Sequence, residues 1–296
     1  MKRSIGIFDI SSRCPLRCTH CYYYTNITEI PTELSDEIYL KKIKQVRNRY
    51  GIQSAFWVGG EPLLRLSLLR RAINLFPRNA IVTSGVLPIP GDLNASILIS
   101  IDGSEAIHDS IRGNGSFAKV MRNVKRIPPK SFAIFSVLTA DAIEQIKAFP
   151  ELVNRANALG ILVGFQVSGQ KFSSPLSSDL RERAVDLLLQ LKATIPGVLL
   201  NSERSIELFR PCHQKTVAMN CIYKSSAISF DVRLKVKKPC TFEGNADCSS
   251  CGCPMVMIHE AKMGGDRESV NLLHALFPKR NSYNIETFVQ HGISQQ

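Results

Sequence analysis

Six short apolar runs alternating with helix-length segments constrain this chain more than any other feature. The runs are SIGIFDIS (4–11), SAFWVGG (54–60), AIVTSG (80–85), ILISIDG (97–103), FAIFSVLT (132–139) and ILVGFQVSG (161–169). Short stretches rich in Ile, Val and Phe read as strands buried on both faces. Between them the periodicity predicts helices. One spans 35–51, with Ser35 as N-cap and Gly51 beyond its end, and an apolar-rich one lies around 62–76. Ser116 is expected to cap a third, whose Phe117, Val120, Met121, Val124 and Ile127 share a face, and a fourth runs to about Leu159. Crossovers of this length allow parallel pairing, so the expected class is α/β with a parallel sheet. Six units are too few for a closed eight-stranded barrel. That leaves a doubly wound sheet or an open, partial (β/α)6 TIM-like barrel.

A further helix is expected over 177–194, and from about 210 the texture changes. Gly, Asn and Ser increase, and AISFDVRLKV (227–236) reads as a hairpin. We place a boundary near 195–210, giving a barrel over 1–200 and a small cysteine-rich appendage with C-terminal helices over 201–296. The nine cysteines follow the same division: Cys14, Cys18 and Cys21, none from 22 to 211, then Cys212, Cys221, Cys240, Cys248, Cys251 and Cys253. Core cysteines would be scattered. Clusters of this kind in a reducing compartment are more often metal ligands than disulfides.

No apolar run approaches the length of a transmembrane span, and the N-terminus lacks a secretory signal, so the cytoplasm is the expected location. The net charge is +12, with basic residues gathered at 41–49, 69–78 and 233–238. These read either as solvated faces or as a surface for an acidic substrate, an acidic peptide or an anionic membrane. No RNA- or DNA-binding signature accompanies them, so nucleic acid is not expected as a partner.

The chemistry-bearing residues fall at strand ends. C-x3-C-x2-C (14–21) follows the first strand, GGEP (59–62) the second, TSG (83–85) the third and SIDG (100–103) the fourth. This is the carboxyl-terminal face, where barrel and open-sheet enzymes assemble their sites. Three thiols cannot fill a cubane or a tetrahedral metal, so a fourth ligand comes from far away or the site is one ligand short. A loop zinc site can also use such spacing.

The three-cysteine loop together with GGEP resembles the radical S-adenosylmethionine (SAM) enzymes over about residues 4–170. The resemblance implies that Cys14, Cys18 and Cys21 ligate three irons of a 4Fe–4S cluster whose open iron chelates SAM. Reductive cleavage would give a 5′-deoxyadenosyl radical that abstracts hydrogen from substrate, with an electron donor such as flavodoxin or ferredoxin. It further implies that Gly59 and Gly60 admit the ligand to the backbone and that Glu61 accepts from the SAM amino group. SIDGSEAIHDSIRG (100–113) is similar to the stretch in the peptide- and sulfatase-modifying branch, which assigns Ser100 to the ribose and Arg112 to the SAM carboxylate. His20, Gln166 and Val167 fall where that family borders the adenine, and Ser84 replaces the Asn of the more familiar TNG as pocket lining. Asp102, His108 and Asp109 are as readily turn caps. Tyr22, Tyr23 and Tyr24 are core or pocket wall and cannot all face one way.

The later cysteines resemble SPASM and twitch extensions, implying one auxiliary 4Fe–4S cluster on Cys221, Cys240, Cys248 and Cys251, with Cys212 and Cys253 as alternates. Cys248-Ser-Ser-Cys251 alone also fits a zinc knuckle. The expected activity is hydrogen abstraction from a peptide or protein side chain, although no leader-peptide-binding segment precedes the barrel. A small molecule or lipid is the alternative substrate, and a non-catalytic metal-binding module is the reading from another class.

Overall fold

In the computed structural model, residues 2–26, 29–167 and 176–278 are described. The end of the sixth run (168–169) and the last residues of the appendage (279–296) lie outside them. The six expected strands are present: β1 (Ile5–Ser11), β2 (Ser54–Gly59), β3 (Arg78–Thr83), β4 (Ser96–Ser100), β5 (Ala133–Leu138) and β6 (Ile161–Phe165). Each pairs in parallel with its predecessor, for example Ile7↔Phe56 and Ser136↔Val163. The hairpin strands β7 (Ala227–Phe230) and β8 (Val236–Lys237) complete one open sheet of order β6-β5-β4-β3-β2-β1-β7-β8. β7 runs parallel to β1, pairing Ile5 with Ala227, and only β8 is antiparallel. The hairpin expected in the appendage is therefore continuous with the barrel sheet.

The crossovers are α1 (Tyr22–Asn26), α2 (Asp36–Tyr50), α3 (Leu66–Ile73), α4 (Glu105–Arg112), α5 (Ser116–Val124) and α6 (Phe149–Ala156). α7 (Ser178–Thr194), α8 (Glu203–Glu207), α9 (Gln214–Met219), α10 (Ile222–Ser225), α11 (Pro254–Met263) and α12 (Arg267–Leu276) follow. α2 ends as expected, with Gly51 left-handed (φ 73) and its N–H donating to the Arg47 carbonyl. Ser116 is not the cap of α5 but its first residue. Asp109 does the capping, its carboxylate accepting from the Gly115 and Phe117 N–H groups and from the Ser116 hydroxyl.

Alternation along β1 separates two environments. Phe8 packs outward against Trp57 and Phe230, with ring centroids 5.3 and 5.2 Å away, whereas Ile5 and Ile7 point into the barrel. The amino-terminal end of the barrel is floored by α11 and α12. There Ile258, Leu272, Leu276 and Phe277 pack on Ala80, Leu98, Ala133 and Leu162, and Phe277 meets the Phe56 ring at 5.9 Å. The carboxyl-terminal end holds the site. Among the described residues no helix is long and apolar enough to cross a membrane.

Candidate active site

The cysteine loop is fastened by backbone to the end of β2 and to α4. Gly60 N–H donates to the Ser11 carbonyl (2.7 Å), Glu61 N–H to the Arg13 carbonyl (2.8 Å) and Thr19 N–H to the Ile111 carbonyl (2.9 Å). A Cβ on Gly60 would sit 2.2 Å from the Arg13 oxygen, and one on Gly59 (φ 121) 2.5 Å from the Ser11 oxygen. The side on which a Cβ would stand is thus filled by residues 11–13, which seats the turn against the cysteine loop. Glu61 is held by the fold itself. Its buried carboxylate accepts from Thr83 Oγ1 (2.8 Å), Ser84 N–H (2.8 Å), Ser84 Oγ (2.5 Å) and Leu63 N–H (3.0 Å). With four donors on its two oxygens, it staples the ends of β2 and β3 together. Glu33, unnoticed in the sequence, supports the loop from below, accepting from Ser12 N–H (2.7 Å) and Ser11 Oγ (2.8 Å).

Arg112 lies buried at the end of α4, with Nη1 3.9 Å from Cys18 Sγ. Its Nε donates to Asp102 Oδ2 at 2.6 Å, and the same oxygen lies 3.1 Å from His20 Nε2. Asp102 Oδ1 accepts from the Val137 N–H at 3.1 Å. Burial opposes ionisation of Asp102, but the Arg112 and His20 charges outweigh it and hold the carboxyl well below its usual range. Asp102 is therefore the hub of the site rather than a turn cap. Its sequence signal was its place at the end of β4, ten residues before Arg112. His108 is buried, accepts from the Asp102 N–H through Nδ1, and is pushed down to about 4, chiefly by burial.

Cys14, Cys18 and Cys21 are half-buried neighbours. Burial pushes Cys14 up to about 12, with Glu61, Cys18 and Cys21 adding to the rise, and raises Cys18 against the pull of Arg112. Among the described residues no three Cys, His, Asp or Glu side chains converge tightly enough to hold a single metal ion. The three thiols surround the mouth of a cavity of about 220 Å³. His20, Gly59, Gly60, Ser84, Ser100, Arg112, Gln166 and Val167 also line it, so the structure gathers here the residues expected around the first three cysteines except Glu61. Deeper, the wall is apolar: Ile5, Phe56, Leu98, Leu162 and Phe277. The tyrosines diverge. Tyr22 lines the cavity, Tyr23 is buried, and Tyr24 donates to the Ser12 carbonyl (3.1 Å) beneath the Arg17 guanidinium.

The opposite wall reaches the later cysteines through Tyr223, Phe242 and Cys253. Cys251 lies within electrostatic reach of Cys221, Cys240 and Cys248. Burial pushes Cys240 up to about 11 and Cys251 to about 12, and the neighbouring thiols add to both rises. Cys253 is buried beside Cys251, Cys240 and Cys221, whereas Cys212 is exposed in the turn before α9. Neighbouring buried thiols of this kind stay protonated unless a cation balances the charge of their thiolates.

A family model described as the radical SAM superfamily matches residues 8–156. The pre-heme d1 synthase of Dinoroseobacter shibae is 31% identical over 134 residues, which are 42% of this chain and 33% of that protein. A cysteine-type anaerobic sulfatase-maturating enzyme of Clostridium novyi is 33% identical over 147 residues, 41% of this chain and 39% of that protein. The matched part thus spans less than half the length of either relative. The solved structure of anSMEcpe with bound AdoMet and Cp18Cys peptide shares the fold, with a TM-score of 0.62 at 18% identity over 87% of this chain and 82% of that one. Matched by the family model over just over half its length, and carrying a three-thiol loop at the mouth of an open parallel barrel, the chain belongs to the radical SAM superfamily of enzymes.

Proposed function

We propose that this enzyme modifies a peptide or protein side chain, with residues 1–200 carrying the barrel and 201–296 a SPASM/twitch-like second site. The observation that carries the reading is the set of three thiols, Cys14, Cys18 and Cys21, beside the Arg112 cation at the cavity mouth. They suit a 4Fe–4S cluster with one iron left for SAM, and these bound groups supply the electron and the hydrogen-abstracting radical. The chain's own residues do the positioning. Asp102 orients Arg112, whose remaining N–H groups suit the SAM carboxylate. Ser100 would meet the ribose, and His20, Gln166 and Val167 the adenine. The apolar wall keeps water from the reacting carbon. Cys221, Cys240, Cys248 and Cys251 would hold an auxiliary 4Fe–4S cluster, with Cys253 as the nearest alternate. Cytoplasmic location and a flavodoxin or ferredoxin donor complete the reading.

Likeness to a sulfatase-maturating enzyme supports a peptide substrate. Likeness to a pre-heme d1 synthase, with the apolar cavity wall, favours a small molecule or lipid as the second reading. Membership of an enzyme superfamily sets aside the non-catalytic module. Anaerobically reconstituted protein given SAM and a strong reductant should release 5′-deoxyadenosine, and the variant with Cys14, Cys18 and Cys21 all changed to Ala should not. Equal inertness of both with iron loaded into the wild type would defeat the enzymatic reading. Deuterium passing from a labelled peptide into 5′-deoxyadenosine separates the two substrate classes.

A further inference from the structure

Five cationic side chains are buried among the described residues. Four have a carboxylate at ion-pair distance: Arg65 with Asp36, Arg112 with Asp102, Lys192 with Glu268 and Lys237 with Asp9. Arg181, on α7 and 3% exposed, is the fifth. Its hydrogen bonds go to carbonyls: Nε to Phe209 (3.2 Å), Nη1 to Ser250 (3.1 Å) and Nη2 to Cys251 (2.8 Å). One face lies over the Phe165 ring at 5.2 Å, and Phe165 is itself stacked on Phe209 at 4.3 Å. Asp247, two residues before Ser249 in the same loop, is exposed, and its carboxylate already accepts from Ser249 and Ser250.

Carbonyls satisfy the guanidinium N–H groups but do not neutralise the charge, and an unbalanced buried cation is costly. Protonated thiols would leave it unbalanced. Four thiolates around a 4Fe–4S core leave a net anionic assembly, and Arg181 stands against the loop that carries one of them. That loop has little freedom to move away. Phe165 N–H donates to the Gly252 carbonyl (2.9 Å), and a Cβ on Gly252 would fall 2.0 Å from the Phe165 oxygen.

We propose that Arg181 is the counter-ion of the second cysteine site: a positioning residue that clamps the 250–251 carbonyls and favours the anionic, metal-loaded state over the empty one. The inference rests on the auxiliary-cluster reading and ties that cluster to α7 of the barrel.

The test uses the full chain with Cys14, Cys18 and Cys21 changed to Ala, so that iron can reside only at the second site. Arg181→Gln keeps amide donors and loses the charge, whereas Arg181→Lys keeps the charge and loses the fork. A counter-ion predicts that the Gln variant's cluster has a more negative midpoint potential by EPR titration and releases iron to a chelator at least tenfold faster. The Lys variant should keep the parent's potential. Equal potentials in parent and Gln variant, with iron bound in both, overturn the inference and leave the cluster reading standing. Where the Gln variant holds no iron at all, thermal unfolding of the metal-free chains decides. Both variants lack the fork, so a counter-ion predicts a Gln chain at least as stable as the Lys chain, and a Lys chain clearly more stable than the Gln chain overturns the inference. Zinc, or no metal, in the parent defeats the cluster reading and this inference with it.

Discussion

Asp102 Oδ2 engages two partners from distant parts of the chain. The family resemblance of one stretch pointed to Ser100 and Arg112, and both line the cavity. The Asp102 role was only half legible, because its second partner, His20, is 82 positions away and meets it only once the cysteine loop folds back over β4. The hydrogen bonds of Glu61 left no local signal for the related reason that its donors Thr83 and Ser84 lie at the end of the next strand. Arg112→Ala should weaken SAM binding to the cluster-loaded protein by roughly ten- to a hundredfold, the worth of a charge-assisted pair. Equilibrium dialysis with labelled SAM measures it, and unchanged affinity would confine Arg112 to Asp102 and Cys18. His108 sets a pH dependence. Its folded value of about 4 lies below the unfolded 6.5, so the neutral ring's contribution is complete above 6.5 and lost as pH falls through 4. Relative to a His108→Phe variant, the wild type should lose up to about 3 kcal/mol across that window, read by denaturant unfolding at each pH.

Among elements, the strands were legible because burial on both faces writes a near-continuous apolar run. The Gly59-Gly60-Glu61 turn was legible as a motif but not in its mechanics, because close approach of residues 11–13 leaves no trace in local pattern. Gly60→Ala would drive Cβ into the Arg13 carbonyl, backbone against turn, with no flexible side chain to yield. It should cost about 1–3 kcal/mol and reduce iron incorporation at the first site, measured by melting temperature and iron content. Gly91→Ala, with nothing within 4 Å of its Cβ position, is the control and should change neither. The α5 cap shows a similar shortfall. A Ser before an apolar face is a fair N-cap signal, yet an Asp seven residues earlier folds over to take the N–H groups.

In the whole molecule, the placement of residues 227–237 on the far side of β1 was the part the sequence concealed. A four-residue strand says nothing about which remote edge it will join. The consequence is that the barrel depends on the cysteine-rich half. A chain ending at Thr194 would lose the β7 partner of β1, the Phe230 ring stacked on Phe8, and the α11–α12 floor. It should be unfolded or aggregated, giving no cooperative melt by circular dichroism and no monomer peak by size exclusion; a folded monomer would show that the barrel stands alone. The same pairing has a consequence in time. During synthesis β1 appears first, and one of its edges waits for a partner about 220 residues downstream. At ~5–20 residues per second that is roughly ten to forty seconds of ribosome travel. Until then the barrel offers an open, apolar strand edge, and iron delivery to the second site belongs after that edge has closed. The interval also makes the nascent chain a candidate for chaperone binding at Ile5–Ser11.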